Sequence, residues 1–181
     1  MSYSVPLAAA VSLRVVNHIP AMIAYWDSSE KCVFSNDAYL VWFGREPSSM
    51  IGMSLAQLLG PLYALNLPYI KGALRGERQM FERQIPLPGG EVRDTIATYT
   101  PDIIDGVVLG FSAHVADVTA MRQREAALRL AIQETIQILE QTKQSFHSKQ
   151  LGVLRERLIQ MSGALARDHA AARSAEHERK A

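Results

Sequence analysis

Apolar and polar positions change their spacing along the chain, and this change separates a compact body from a helical tail. Between residues 20 and 118, short apolar stretches follow one another with turn-forming residues between them. From residue 120 to residue 146 the chain has no Gly or Pro and is rich in Gln, Glu, Arg and Ala, which favour helices. The pattern predicts a folded domain followed by a long, largely exposed helix.

Strand-like and helix-like stretches alternate within the body. Residues 22–27 (MIAYWD) and 32–36 (CVFSN) flank a polar turn, which is typical of a hairpin. Residues 79–118 hold three more β-rich segments, separated by the turn sequences PGGE and DG. Residues 37–76 show short helical patterns with glycine stops, and Pro68 interrupts the last of them. This order predicts an α+β fold with a five-stranded antiparallel sheet and short helices on one face.

Four parts are expected along the chain. Residues 1–19 contain an apolar helical pattern that stops at Pro20, so we expect an N-terminal helix that serves dimerisation. The sheet domain takes residues 20–119, and a helical extension takes residues 120–165. Residues 166–181 lack an apolar face and are expected to fray.

The tail carries a narrow apolar line with coiled-coil spacing. Its members are separated by alternating steps of four and three residues: Leu128, Ile132, Thr135, Leu139, Thr142 and Phe146. A solvated helix of this length is marginal by itself, so the line requires a partner. We therefore expect a homodimer whose seam is formed by Leu128, Ile132, Leu139 and Phe146, together with the N-terminal helix.

A break follows this line of apolar positions. Residues 145–152 (SFHSKQLG) weaken the helix and disturb the phase, and a second apolar line runs from Leu151 to Leu165. The chain either continues as one helix or folds back as a helical hairpin. In both cases the apolar side chains of the second line must be buried against another surface, which predicts a protein partner for the C-terminal helices.

Composition and charge narrow the class of protein. Apolar residues make up 48% and charged residues 20%, as in globular proteins. Basic residues of the tail are interleaved with acidic ones, which argues against a nucleic-acid-binding arm. No apolar run is long enough to span a bilayer and the N-terminus lacks a basic leader, so the sequence predicts a cytoplasmic protein with no membrane contact.

The order of these elements resembles a PAS domain over roughly residues 17–120. Asp117, Val118 and Thr119 are similar to the family's Asp-Ile/Val-Thr link between the last strand and the output helix. FSNDAY, residues 34–39, resembles the passage from the second strand to the first helix. The resemblance implies a sensory or regulatory domain in which Asp117–Thr119 is the signal junction, with Asp117 or Thr119 capping the helix start.

PAS pockets hold flavin, haem, another small ligand or nothing, so the resemblance leaves the cofactor unknown. Cys32 falls in the second strand rather than in the helix cluster, which argues for a small buried residue and against a flavin adduct. His18 and His114 fall in the predicted core, where a histidine is more often structural than a haem ligand.

Five polar-tipped residues are the candidates for a small-molecule pocket: Tyr39, Trp42, Arg83, Tyr99 and His114. The alternative is that the aromatic residues fill the core and that Arg83 pairs with a neighbouring acid.

No combination of residues points to catalysis or to a metal site, and we expect no enzyme. His147 sits beside a helix, but Ser148 stands where a phospho-accepting histidine would be followed by an acid, and the sequence has no phosphate-binding loop. The sequence therefore predicts a PAS module that senses a small ligand or a protein and passes the change through Asp117–Thr119 to a partner protein. The alternative is a ligand- or cofactor-binding protein, haem included, whose tail only mediates assembly.

Overall fold

The computed structural model describes residues 5–142 and 152–163. The chain divides after Thr119 into two compact units, the sheet domain and the helical region. The described elements are α1 (Val5–Asn17), β1 (Ala21–Asp27), β2 (Cys32–Ser35), α2 (Ala38–Phe43), α3 (Pro47–Met50), α4 (Leu55–Leu59), α5 (Leu62–Leu74), β3 (Gln79–Pro86), β4 (Val92–Ile104), β5 (Val107–Asp117), α6 (Thr119–Thr142) and α7 (152–163).

The five strands form one antiparallel sheet in the order β2-β1-β5-β4-β3. Because side chains alternate along a strand, every second residue of β4 and β5 points into the core, and the residues between them are more exposed. Helices α2–α5 come between β2 and β3 in the chain, and their buried residues join the same core. The predicted α+β fold, with a five-stranded antiparallel sheet and helices, is confirmed.

Aromatic side chains form a continuous row through the core. The rings of Tyr69 and Phe81 stack with their centroids 3.9 Å apart, and the Phe81 ring meets Tyr99 edge-on at 5.1 Å. Tyr99 in turn lies 4.9 Å from Phe111. Such contacts add to the free energy gained by burying the rings, so this row fixes α5 against β3, β4 and β5.

Asn36 lies just before α2 but does not cap it, and Asp37, at the N-cap position, makes no side-chain cap hydrogen bond. The Asn36 side chain is fully buried and turned back towards β1. Its Oδ1 accepts the Ile23 N–H at 3.0 Å, and its Nδ2 donates to the carbonyls of Ala21 at 2.8 Å and Val16 at 3.2 Å. The Asn36 side chain thus bonds one N–H and two carbonyls of the backbone, and the Val16 carbonyl also accepts the Ile19 N–H at 3.3 Å.

Pro68 does not interrupt α5, which runs without a break from Leu62 to Leu74. A proline inside a helix removes one hydrogen bond, to the carbonyl four residues earlier. Pro68 and Ala64 both lie on the exposed side, where water can satisfy that carbonyl. The buried side, with Tyr69, Ile70 and Ala73, holds the helix in place.

The tail is helical in both of its described stretches, α6 and α7, whereas residues 143–151 and 164–181 lie outside the described range. Phe146, the second apolar line at Leu151 and Leu165, and the expected frayed end lie outside it as well. Along α6, Leu128 is 55% exposed whereas Ile132 is only 7% exposed. Of the described seam residues, Leu128 therefore offers the largest free apolar surface.

Candidate functional site: a core cavity and the strand-to-helix junction

A cavity lies in the core of the sheet domain, between the sheet and helices α2, α4 and α5. The space free of atoms, counted out to solvent at its mouth, is ≈ 410 Å³, whereas the part wide enough for the centre of a water molecule is ≈ 30 Å³. Most of its lining is apolar. The polar-tipped lining residues are Trp26, Tyr39, Asn66, Arg83, Thr95 and Tyr99.

Arg83, Asn66 and Tyr99 form a connected hydrogen-bonded set at this cavity. The Arg83 Nε–H donates to Asn66 Oδ1 at 2.9 Å, and its Nη2 donates to the Leu65 carbonyl at 3.0 Å. Asn66 Nδ2 donates to the Tyr99 hydroxyl at 3.3 Å. The Arg83 guanidinium also lies over the Phe81 ring, 5.4 Å from its centroid, so its charge is held near the cavity.

Two further polar groups at the cavity have no committed partner. Trp26 is fully buried, and its Nε1–H finds no acceptor among the residues that the structure describes. Tyr39 is buried as well, and no hydrogen bond of its hydroxyl is found in the same part of the chain. Burial, with a smaller contribution from Tyr99, raises the pKa of Tyr39 well above its usual range, so its hydroxyl stays protonated.

The structure brings together three of the five residues expected at a pocket: Tyr39, Arg83 and Tyr99. Trp42 is buried but does not line the cavity. The prediction that His114 lies at the pocket is wrong. His114 is exposed on the opposite face of the sheet, because its neighbours Ala113 and Val115 point inward.

His18 is also exposed, so the expectation of a buried histidine fails at both positions. The alternative for Arg83, an ion pair with a neighbouring acid, is not found: among the described residues the cation pairs with no acid and bonds Asn66 instead.

Trp26, Asn66 and Thr95 line the cavity and were not predicted from the sequence. Trp26 and Thr95 could have been predicted, because each occupies an inward-facing position of a strand with alternating exposure. Asn66 stands alone as a polar residue in the apolar stretch ALNLPYI, which marks a buried group that needs partners.

The junction between β5 and α6 is tied to β4 by hydrogen bonds. Asp117, one of the two expected capping residues, accepts the Thr119 N–H on Oδ1 at 2.9 Å. The Thr119 Oγ1 accepts the Asp94 N–H at 3.0 Å, and the Val118 N–H donates to the Asp94 carbonyl at 2.9 Å. The start of α6 is therefore fixed to β4 as well as to β5.

Arg93 connects this junction to helix α2. Its Nη1 lies 3.3 Å from Asp117 Oδ2, and its guanidinium lies 5.2 Å from the centroid of the Trp42 ring. Glu91 is a third contact, with Oε1 3.2 Å from the Arg93 Nε. Sequence reasoning missed Arg93, although it shares the inward side of β4 with Thr95.

The Asp117 carboxylate is favoured by its surroundings. Burial alone would raise its pKa, but hydrogen bonds from Thr119 and the charge of Arg93 outweigh burial and hold the pKa below its ordinary value. At neutral pH the group is an anion at the first turn of α6, where a negative charge is stabilising.

Other chemistry is limited in the described part of the chain. In residues 5–142 and 152–163, no three His, Cys, Asp or Glu side chains come close enough to share a metal ion. Cys32 begins β2 and is buried, as expected, and burial raises the pKa of its thiol. None of the described helices is both long and apolar enough to cross a bilayer.

Comparison with known proteins gives relatives for the sheet domain. VqmA from Vibrio cholera, in a complex with ligand and DNA, is 20% identical, with a TM-score of 0.54 over 62% of this chain and 51% of its own. A PAS domain from Colwellia psychrerythraea is 14% identical, with a TM-score of 0.51 over 62% and 98%. The chain spans about half the length of VqmA, and at these identities the likeness shows the fold alone.

An RNA-binding light-oxygen-voltage receptor also matches, at 13% identity and a TM-score of 0.54, over 93% of this chain and 40% of its own. No curated protein sequence matches the chain. The family model described as PAS fold matches residues 16–123, which is more than half of the chain. The chain therefore belongs to the PAS-fold family.

Proposed function

We propose that this protein is a sensory PAS module that passes the state of its cavity to helix α6 and from there to a partner protein. PAS domains are generally sensory, non-catalytic modules, and we assign no catalytic residue in this chain. The single observation that carries the proposal is the position of Arg93. This cation contacts Trp42 of α2 on one side and Asp117 of the junction on the other.

The contacts form a continuous path from the cavity to the start of α6. Tyr39 lines the cavity and precedes Trp42 by three residues on α2, so both lie on the same side of that helix. Trp42 contacts Arg93, Arg93 pairs with Asp117, and Asp117 holds the Thr119 N–H. A change at the cavity that moves α2 would alter the Arg93–Asp117 pair.

In this proposal the protein passes its signal on as a homodimer that contacts a protein partner. Helix α1 exposes Leu7, Val11 and Val15, and helix α6 exposes Leu128. A second copy of the chain would cover apolar surface on both helices. Helix α7 exposes Leu154 among other apolar residues, and we assign the protein partner to this part of the tail.

The alternative function is a binding protein whose tail only mediates assembly. It uses the same cavity but does not use the path of contacts from the cavity to α6, which we call the relay. It predicts that the junction and the cavity behave independently. The DNA and RNA contacts of the two relatives named above belong to those proteins. The basic residues of this tail remain interleaved with acidic ones, so nucleic-acid binding is not part of the proposal.

Hydrogen exchange of the full chain tests the relay. Arg93→Gln should speed exchange at the amides of Val118 and Thr119 and in the first turns of α6, because the Asp117 carboxylate loses its counter-ion. Arg78→Gln removes a comparable charge from an exposed arginine of the same domain and should leave these amides unchanged. Equal protection in the wild type and in Arg93→Gln would contradict the proposal.

A further inference from the structure

We propose that the cavity binds a small organic carboxylate. The inference rests on the proposed sensory function of the same cavity and adds the chemical class of its ligand. It comes from counting which hydrogen-bonding groups at the cavity remain free. The free groups include three donors, the Trp26 N–H and the Tyr39 and Tyr99 hydroxyls, which can also accept, and one of the lining residues is a cation without a carboxylate partner in the described part of the chain.

Arg83 fixes the direction of the hydrogen bonds next to it. A guanidinium can only donate, so the group of Asn66 that faces the Arg83 Nε must be its oxygen. The Asn66 NH₂ group is then turned towards Tyr99 and donates to the hydroxyl oxygen. Tyr99 therefore accepts this bond, and its own hydroxyl hydrogen remains free to donate.

Tyr39 and Trp26 add two more donors at the cavity. An indole N–H can only donate, and that of Trp26 has no acceptor among the described residues. The Tyr39 hydroxyl is protonated and uncommitted in the same part of the chain. The buried Trp26 donor without an acceptor costs about 1–3 kcal/mol, so a ligand that brings an acceptor oxygen to it relieves this cost.

The positive charge of Arg83 favours an anionic ligand over a neutral ligand that offers the same acceptor oxygens. It lines the cavity, and in the described part of the chain it pairs with no carboxylate. The Thr95 hydroxyl hydrogen is already used, because it donates to the Arg83 carbonyl at 2.7 Å. An anion at the cavity would gain both the free donors and the nearby charge, whereas a neutral amide of the same shape would gain only part of the hydrogen bonding.

The dimensions of the cavity limit the size of the acid. Only ≈ 30 Å³ of the cavity is open to the centre of a water molecule, so only a ligand of a few heavy atoms fits. Small apolar side chains, Ala97, Ala113 and Val115, line the cavity beside the polar groups and can receive a short alkyl chain. A short-chain acid such as propionate fits this description.

Titration of ¹⁵N-labelled full-length protein with propionate tests the proposal, and propionamide serves as the neutral probe of the same shape. The two tryptophan indole N–H signals are assigned with Trp42→Phe. Propionate should move the Trp26 signal downfield and bind about tenfold more tightly than propionamide. Equal binding of the two probes, or a Trp26 signal that propionate leaves unchanged, would overturn the proposal.

Two variants with a matched control connect binding to the free donors. Asn66→Asp keeps the shape but accepts from both Arg83 and Tyr99, so it uses up the Tyr99 donor and the free charge. Arg83→Gln removes the charge directly. Both should weaken propionate binding about tenfold, whereas Tyr25→Phe, which removes a hydroxyl bonded to Asp102 away from the cavity, should not. Unchanged binding in Asn66→Asp and Arg83→Gln counts against the proposal.

Failure of this inference is distinguishable from failure of the sensory function. If propionate does not bind but Arg93→Gln still alters exchange at the junction, the ligand class is wrong and the relay survives. If propionate binds as described and the junction is insensitive to Arg93→Gln, the ligand class holds and the relay is wrong.

Discussion

Arg93 Nη1 lies 3.3 Å from Asp117 Oδ2, and this ion pair joins the beginning of β4 to the end of β5. Both side chains are roughly one-third exposed or less, so the pair is shielded but not buried. Because Asp117 also accepts the Thr119 N–H, the ion pair lies directly beside the residue at which α6 begins.

Arg93→Gln should lower the free energy of unfolding by about 1 kcal/mol, since the variant loses a partly exposed ion pair and a cation–π contact with Trp42. Chemical denaturation with urea measures the change. Arg78→Gln, at an exposed site, should stay within about 0.5 kcal/mol of the wild type. A loss in Arg93→Gln no larger than in this control would mean that Arg93 does not stabilise the junction.

Asp117→Asn should reveal the charge at the junction through its pH dependence. The folded state lowers the pKa of Asp117, so its ionisation stabilises the fold above the ordinary value of about 3.9 and loses this effect as pH falls through the lower folded value. The wild type should exceed Asp117→Asn in unfolding free energy at pH 6. The difference should shrink below about pH 4, and a difference that is constant with pH would refute the assignment.

Asn36→Ala should be among the costly single substitutions in the sheet domain. It leaves the Ile23 N–H and the Ala21 and Val16 carbonyls without their side-chain partner, at about 3 kcal/mol in total. Asn36→Asp keeps an acceptor for Ile23 but loses both donors, so its loss should be substantial as well. Thermal unfolding of both variants checks the expectation, and a shift in Tm under about 2 °C would contradict it.

Leu128→Glu should weaken homodimerisation, and Leu130→Glu is its matched control. The two leucines are 55% and 57% exposed and are about 200° apart around α6, so only Leu128 lies on the predicted seam. Analytical ultracentrifugation of the full chain over a wide concentration range should show a dimer that dissociates more readily in Leu128→Glu alone. Equal dissociation of both variants, or a monomeric wild type, would contradict the predicted dimer seam.

The fold could be predicted from the sequence because alternation and turn residues are local signals. The strand runs, the glycine stops and the Asp117–Thr119 link each have a short-range pattern. Local signals were not sufficient where a side chain bonds groups that are distant in sequence. Asn36 precedes a short helix, a position at which Asn often caps, but its side chain instead bonds three backbone groups on α1 and β1.

Only part of the candidate site followed from the residues alone. Tyr39, Arg83 and Tyr99 were chosen as polar-tipped residues near the core, and the structure brings them together at the cavity. His114 failed because the phase of β5 turns it outward. Arg93 could not be found, because its two partners come from α2 and β5 and sequence spacing does not reveal that contact.

A double-mutant cycle tests the relay most directly. Tyr39→Leu alters the cavity, Arg93→Gln removes the proposed connection, and hydrogen exchange at Val118, Thr119 and the first turns of α6 is measured in the wild type, both single variants and the double variant. The account predicts that Tyr39→Leu changes this exchange in the wild-type background but not with Gln at position 93, a coupling of about 0.5–2 kcal/mol. Additive effects, with the same response to Tyr39→Leu in both backgrounds, would show that the cavity does not signal through Arg93 and would contradict the account.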